Sequence, residues 1–270
     1  MITNALTVDL EDWYHGIELP PERWREFEDR LAGSCDRLLS LLDEAGVSAT
    51  FFVLGDVAER QPELVRAIAA AGHEIGSHGC SHRFVYDQDE HEFRVDLHRS
   101  IDLLGACGCD DVAGYRAPYF SITRKSLWAL GVLAELGIRY DSSIFPVRNY
   151  RYGIPDAERT PHRVNGGPLV EFPISTWRFA GRNIPVAGGA YFRLLPYSVT
   201  RRGIAAINRA GNPAVFYIHP WELDPDHPRI PVPRRIAATH YANLGATERR
   251  LRKLLGDFRF APMRYVLDVA

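Results

Sequence analysis

Glu74-Ile75-Gly76-Ser77-His78-Gly79-Cys80-Ser81-His82 is a short apolar run that ends in two histidines four residues apart. The run reads as a strand, and the pair lies just past its C-terminal end. On a helical turn, residues four apart face the same side, so both imidazoles can turn toward one point. Two neutral nitrogen ligands held this way suit a divalent metal. The pair lacks the glutamate of an HExxH helix, so a third ligand and a general base must come from elsewhere. Taken alone, the pair fits two loop histidines bonded to neighbouring backbone just as well. The rest of the chain decides between these readings.

The same grammar recurs outward from this stretch. Ala5–Val8 is β-prone and runs into Asp9-Leu10-Glu11-Asp12. Ala49–Leu54 reads as a buried strand closed by Gly55. Val112–Tyr115 runs into Arg116-Ala117-Pro118-Tyr119, and Ile138–Tyr140 into Asp141-Ser142-Ser143. Leu169–Phe172 ends at Pro173, and Ala214–Ile218 runs into His219-Pro220-Trp221-Glu222. Between these seven runs lie helical patterns, roughly Ser34–Ala45, Pro62–Gly72, Glu90–Leu104, Thr123–Leu136 and Tyr197–Ala210. A last helix is expected over Thr247–Leu255 and a final β-prone run over Arg264–Val269. Strand-helix alternation predicts an α/β chain with a parallel sheet or barrel under helices. In such barrels chemistry sits at the strands' C-terminal ends. Five of the seven runs end in Asp9, His78, Arg116, Asp141 and His219, residue types that ligate metals, move protons and clamp charge.

Composition bounds the alternatives. The chain has 270 residues, 46% hydrophobic and 24% charged, an ordinary globular balance. With 32 basic and 34 acidic residues, it gives no reason to expect nucleic acid as a partner. Cys35, Cys80, Cys107 and Cys109 lack the spacing of a zinc knuckle and read as reduced thiols. No signal peptide and no membrane span are visible, so a cytoplasmic location is expected.

The polar strand ends assemble into a reaction. His78, His82 and one carboxylate would hold a metal with an open position. The carboxylate comes from the end of the first run, Asp12 being favoured and Glu11 the alternative. Asp9 would be the general base, oriented by Arg116. His219 would protonate the leaving group, with Asp141 on its other ring nitrogen. A backbone N–H near Tyr119 would support an oxyanion. Trp221 and other aromatic residues are core by default, or else stack on sugar rings. Each polar residue also has a plain role: Asp9 and Asp12 as caps, Asp141 as a turn starter, Arg116 as a structural ion-pair partner, His219 as a buried histidine.

At these residues the chain resembles the polysaccharide deacetylase family, also called the NodB-homology family or carbohydrate esterase family 4. Thr7-Val8-Asp9, His78–His82, Arg116–Tyr119, Asp141–Ser143 and Ile218-His219 are similar to five family motifs in order. The resemblance implies a distorted (β/α)7 barrel of NodB-homology type. It also implies metal-dependent removal of N-acetyl groups from a bacterial polysaccharide or its precursor. Zinc is the implied ion, with cobalt or nickel also suited to such ligands. By match, Asp9 is the base, His78 and His82 are ligands and His219 is the acid. The first motif departs from the family's two adjacent aspartates, because Leu10 follows Asp9. With the stretch Gly189–Pro225, which includes His219–Pro225, this start resembles a branch associated with exopolysaccharide and exosortase loci. A single domain over 1–270 is expected, with about 186–270 a branch-specific part completing the barrel. Two rival functions remain: an allantoinase-like hydrolase of a small amide, and a glycan-binding relative without chemistry.

Overall fold

In the computed structural model, which describes residues 2–269, all seven expected strands are present and all run parallel. They are β1 (Thr3–Leu10), β2 (Thr50–Val53), β3 (Glu74–Ser77), β4 (Gly114–Tyr115), β5 (Tyr140–Asp141), β6 (Val170–Glu171) and β7 (Val215–Ile218). Their order across the curled sheet is β7-β1-β2-β3-β4-β5-β6. β1 is the hub. It pairs with β7 through Ala5–Val8 and with β2 through Thr7–Leu10. Its first residues also pair with a late strand, Arg259–Ala261. The N- and C-terminal parts of the chain therefore build one sheet.

The apolar runs explain the layers. All four residues of β2 are buried. Alternation sends Phe52 inward with Tyr140, Phe145 and Phe172, and Phe51 outward among the helix-facing leucines. Five helices follow the expected pattern: α1 (Leu31–Ala45), α2 (Pro62–Ala70), α3 (Glu90–Ala106), α4 (Ala129–Glu135) and α5 (Tyr197–Arg209). Leu31, Cys35, Leu38 and Leu42 form the buried stripe of α1, and Gly46 closes it at φ 63°. Asp89 and Glu92 form a capping box at the start of α3.

The barrel is distorted between β6 and β7, where these strands do not pair. Residues Ile174–Ser175 and Val186–Gly188 fill that seam instead. Tyr217 N donates to Ala187 O at 2.6 Å, and Val215 N to Ser175 Oγ at 2.8 Å. Gly188 makes this approach possible. At φ 135°, an added Cβ would lie 1.8 Å from Tyr217 O.

Several sequence expectations change. The glycine-rich turn at 188–192 leads into a helix, Gly189–Leu194. Arg264–Val269 is not a strand: Met263–Leu267 is helical, and the strand lies just before it. The helical pattern expected from Thr123 becomes α-helix only at Ala129, six residues later. A hairpin (Thr176–Phe179 with Arg182–Pro185) and helices Gly55–Arg60 and Arg234–His240 are additional. All four cysteines are free thiols, and among the described residues no helix is long and apolar enough to cross a membrane.

Candidate active site

The strand ends converge at one rim of the sheet. Glu11 Oε1 lies 2.9 Å from His78 Nε2 and 2.8 Å from His82 Nε2, and all three residues are buried. His78 Nδ1 lies 2.7 Å from the carbonyl oxygen of Arg116, so that nitrogen carries the ring proton. The Nε2 lone pair of a neutral His78 then faces a carboxylate oxygen. Two lone pairs at that distance require a cation between them, either a proton or a metal. Burial alone would raise the Glu11 carboxyl. The charge of His82, hydrogen bonds from His78 and His82, and the charge of His219 outweigh it and hold the group well below the usual carboxylate range. One carboxylate oxygen and two imidazole nitrogens, all within 4.8 Å of one another, fit a divalent cation that keeps open positions.

The third member is thus Glu11, and the preference for Asp12 is corrected. Asp12 Oδ2 accepts from Arg30 N (2.7 Å) and Leu31 N (3.1 Å), and Oδ1 from Trp13 N (2.7 Å). It anchors the start of α1 rather than facing the histidines. The signal was in the sequence. Leu6, Val8 and Leu10 face the outer core, so Thr7, Asp9 and Glu11 share the opposite parity. Thr7 Oγ1 and Asp9 Oδ1 both accept from Arg116 Nη1, at 2.6 and 2.7 Å. Glu11 continues that row and Asp12 does not.

The turn carrying the histidines is also not the helical one the spacing suggests. His82 sits at φ 54°, and the loop is held by Asp96 of α3. Asp96 Oδ2 accepts from Cys80 N (2.8 Å) and Oδ1 from Ser81 N (3.0 Å). Cys80 is a buried bystander, its thiol raised to about 11 mainly by burial.

Arg116 and Asp9 stand together as expected. The guanidinium is fully buried, bonded also to Ser142 O and Ser142 Oγ at 3.0 Å, with Phe52 beneath it. His219 Nε2 lies 3.8 Å from Asp9 Oδ2. Its other nitrogen does not meet Asp141. His219 Nδ1 lies 2.8 Å from Glu222 Oε1, and Glu222 Oε2 accepts from Arg193 Nε at 2.6 Å. Burial opposes a charge on His219. The Glu222 hydrogen bond and the nearby carboxylates of Glu11, Glu222 and Asp9 outweigh that and raise the imidazole to about 9. Glu222 itself is held at about 2, against its burial, by Arg193 and His219.

Asp141 is placed elsewhere. Its Oδ1 accepts from Ser143 Oγ, whose oxygen accepts from Ala117 N, so Asp141 braces the loop after β4. The partnership with His219 fails because Glu222 comes from the same turn as His219, three residues on. That i,i+3 spacing within His219–Glu222 was legible. Arg193 was not, since it lies on an unexpected helix.

Tyr119, at φ 55°, packs its ring 4.6 Å from His82 and donates its hydroxyl to His15 O at 2.7 Å. Trp221 stacks on His219 with centroids 5.3 Å apart. Both line a cavity of about 260 Å3 that opens beside Asp9, Glu11 and His219.

The geometry is that of a parallel α/β barrel with a buried carboxylate-imidazole cluster at its rim. Comparison with known proteins gives the family. Residues 24–140 match the polysaccharide deacetylase model, and residues 142–268 match a domain of unknown function (DUF3473). Residues 24–140, under half of the chain, are thus similar to the polysaccharide deacetylase family. The boundary falls at β5, so the two models divide a single sheet. A Bacillus cereus peptidoglycan-N-acetylglucosamine deacetylase is 36% identical over 99 residues, 34% of this chain and 34% of that enzyme. The match thus spans about a third of that curated relative. A Mycobacterium smegmatis crystal structure assigned to the polysaccharide deacetylases aligns with a TM-score of 0.65 at 24% identity, covering 99% of this chain and 89% of that one. An allantoinase structure aligns at 0.60 and 17% identity, again covering 99% and 89%. At these identities the structures establish the NodB-type barrel.

Proposed function

We propose that this protein is a metal-dependent hydrolase that removes N-acetyl groups from the sugars of a bacterial polysaccharide or its precursor. The observation that carries the reading is the convergence of Glu11 Oε1, His78 Nε2 and His82 Nε2 beside the Asp9–Arg116 pair. Glu11, His78 and His82 would hold the ion, zinc being favoured and cobalt or nickel also suited. A divalent cation there supplies Lewis acidity toward an amide carbonyl and toward water.

The chain's own groups do the proton work. Arg116 aims Asp9 by the hydrogen bond from its Nη1, so Asp9 takes the proton of the attacking water. His219, whose charged form the Glu222 hydrogen bond favours, gives its proton to the departing amine nitrogen. Glu222 and Arg193 keep the imidazole oriented through that transfer. Tyr119 forms a wall of the cavity, while Trp221 is stacked on by both His219 and His240 and so backs the acid rather than offering a face to a sugar. The deacetylase relatives, which match 34% and 36% of the chain, support the N-acetyl choice.

The purified protein is expected to bind about one divalent ion per chain and to release acetate from N-acetylglucosamine oligomers. Asp9→Asn should lower the rate by roughly 10²–10⁴-fold with the ion retained. Unchanged acetate release in that variant would remove Asp9 as base. A second reading, an allantoinase-like hydrolase of a small amide, is favoured by one feature: Asn149–Tyr152 of the long loop wall the cavity. Turnover of small cyclic amides with no acetate release from oligomers would select it.

A further inference from the structure

The cavity beside the candidate metal ligands changes character from its inner end to its mouth. Inside, Asp9 is answered by Arg116, and Glu11 by His78 and His82. At the mouth, two guanidinium groups border one aromatic ring. Arg235 Cζ lies 4.5 Å and Arg151 Cζ 5.3 Å from the Tyr150 centroid. Tyr150 is 60% exposed, so its ring is offered to solvent. Arg151 also lies 5.6 Å from the Tyr119 ring, which in turn packs on His82. Arg151 is therefore one ring away from His82, and Arg235 joins it across Tyr150.

Charge at this mouth is not balanced. Arg151 pairs with Glu18 at 2.7 Å. Arg235 has no carboxylate within ion-pair distance among the described residues; its contact is the Tyr150 face. A solvent-facing guanidinium on an aromatic plane keeps its fork of N–H donors free. That fork matches a carboxylate or a phosphate, and the ring beside it suits a sugar's apolar face. The two groups come from separate elements, the loop after β5 and the helix Arg234–His240, so the fold itself brings them to this opening.

We propose that the mouth is an anion-binding subsite, built on Arg235 with Arg151 and Tyr150, for a carboxylate or phosphate carried next to the N-acetylated sugar. The substrate class is then an acidic glycan or a phosphate-linked sugar precursor rather than a neutral polymer. This rests on the deacetylase reading given above.

The test compares acetate release from three substrates at low salt: neutral N-acetylglucosamine oligomers, oligosaccharides alternating N-acetylglucosamine with glucuronate, and a nucleotide-diphosphate N-acetylglucosamine. One anionic substrate should exceed the neutral one by about tenfold in kcat/KM, the scale of one charge-assisted hydrogen bond. Which arm wins identifies carboxylate or phosphate as the source. In Arg235→Gln that ratio should fall toward one, with Arg235→Lys intermediate, and high salt should compress it. A wild-type ratio near one, or a ratio that Arg235→Gln leaves unchanged, overturns the subsite. If wild type releases acetate from none of the three, the deacetylase reading fails. Binding of glucuronate and inorganic phosphate, followed by tryptophan fluorescence, then decides the subsite by itself. Weaker binding in Arg235→Gln supports it, and equal binding overturns it.

Discussion

His219 faces Asp9 through one ring nitrogen and Glu222 through the other, and the two contacts do different work. The Glu222 contact is the shorter, 2.8 Å against 3.8 Å, and Arg193 pins Glu222 from behind. Glu222 therefore sets how tightly the imidazole holds its proton, while Asp9 stays free to accept one. A general acid must enter the reaction protonated, so activity falls as pH rises through the His219 pKa, about 9. Glu222→Gln removes a charge that favours the imidazolium, and His219 should titrate lower, toward its ordinary 6.5. The alkaline limb of the kcat/KM profile should move down in pH by about a unit or more, with the imidazole NMR titration following it. An alkaline limb that stays in place would assign the acid to another group. Asp141 was the expected partner because it too ends a strand. What sequence order hides is distance across the barrel, whereas a residue three positions along the same turn is held close by the chain itself.

At the level of elements, β1 delivers three polar side chains to one face while its alternate leucines and valine seal the other. Beyond Leu10 the strand has ended, and Asp12 serves the next element instead. Its carboxylate takes the N–H groups that open α1, which lie eighteen and nineteen residues further on. Asp12→Ala should cost about 1–2 kcal/mol in denaturant unfolding, the range for losing a helix cap, while the ion content is maintained. Glu11→Ala should do the reverse and lose the ion. Loss of metal in Asp12→Ala with full retention in Glu11→Ala would return the ligand role to Asp12. The seven parallel strands and their polar ends were legible because buried runs and glycine stops recur with helical patterns between them. Glu11 was legible too, through strand parity, but proximity in sequence to the next acidic residue obscured it. Gly189–Leu194, Arg234–His240 and the hairpin were not, since each is short and takes its form from tertiary contacts such as Gly188 against Tyr217. Arg193 and Arg235, which ride on two of them, were hidden for the same reason.

For the molecule as a whole, the instructive place is where the two family models meet, at β5 and β6. Asp141 and Glu171 are register partners there, both fully buried. Among the described residues, Asp141 Oδ2 and Glu171 Oε2 find no hydrogen-bond partner. Burial is the first cause raising both carboxyls, and the Asp141 charge pushes Glu171 well above its ordinary value. Two adjacent carboxylates cannot both ionise cheaply in such a site, so the folded pair keeps a proton that the unfolded chain releases. The sign follows from that excess. A raised folded pKa contributes stability that is fully present below the unfolded values, 3.8 and 4.5, and is lost as pH rises toward the folded pKa. Wild-type stability should therefore decline from mildly acidic to alkaline pH because of this seam. Glu171→Gln keeps an oxygen for Ile144 N, which Glu171 Oε1 accepts at 3.0 Å, and removes the second ionisable group. Unfolding free energies measured at several pH values should then be flatter in the variant, with its advantage over wild type growing as pH rises. Parallel curves for the two proteins would mean that the pair holds no extra proton, and that Arg116, which favours the ionised form of both, controls them instead. The seam also matters to the site, because Asp141 reaches Ala117 N through Ser143 and so fixes the backbone that carries Arg116. The seam between the two halves of the sheet thus stands two hydrogen bonds from the Ala117 backbone N–H, next in the chain to the arginine that aims Asp9.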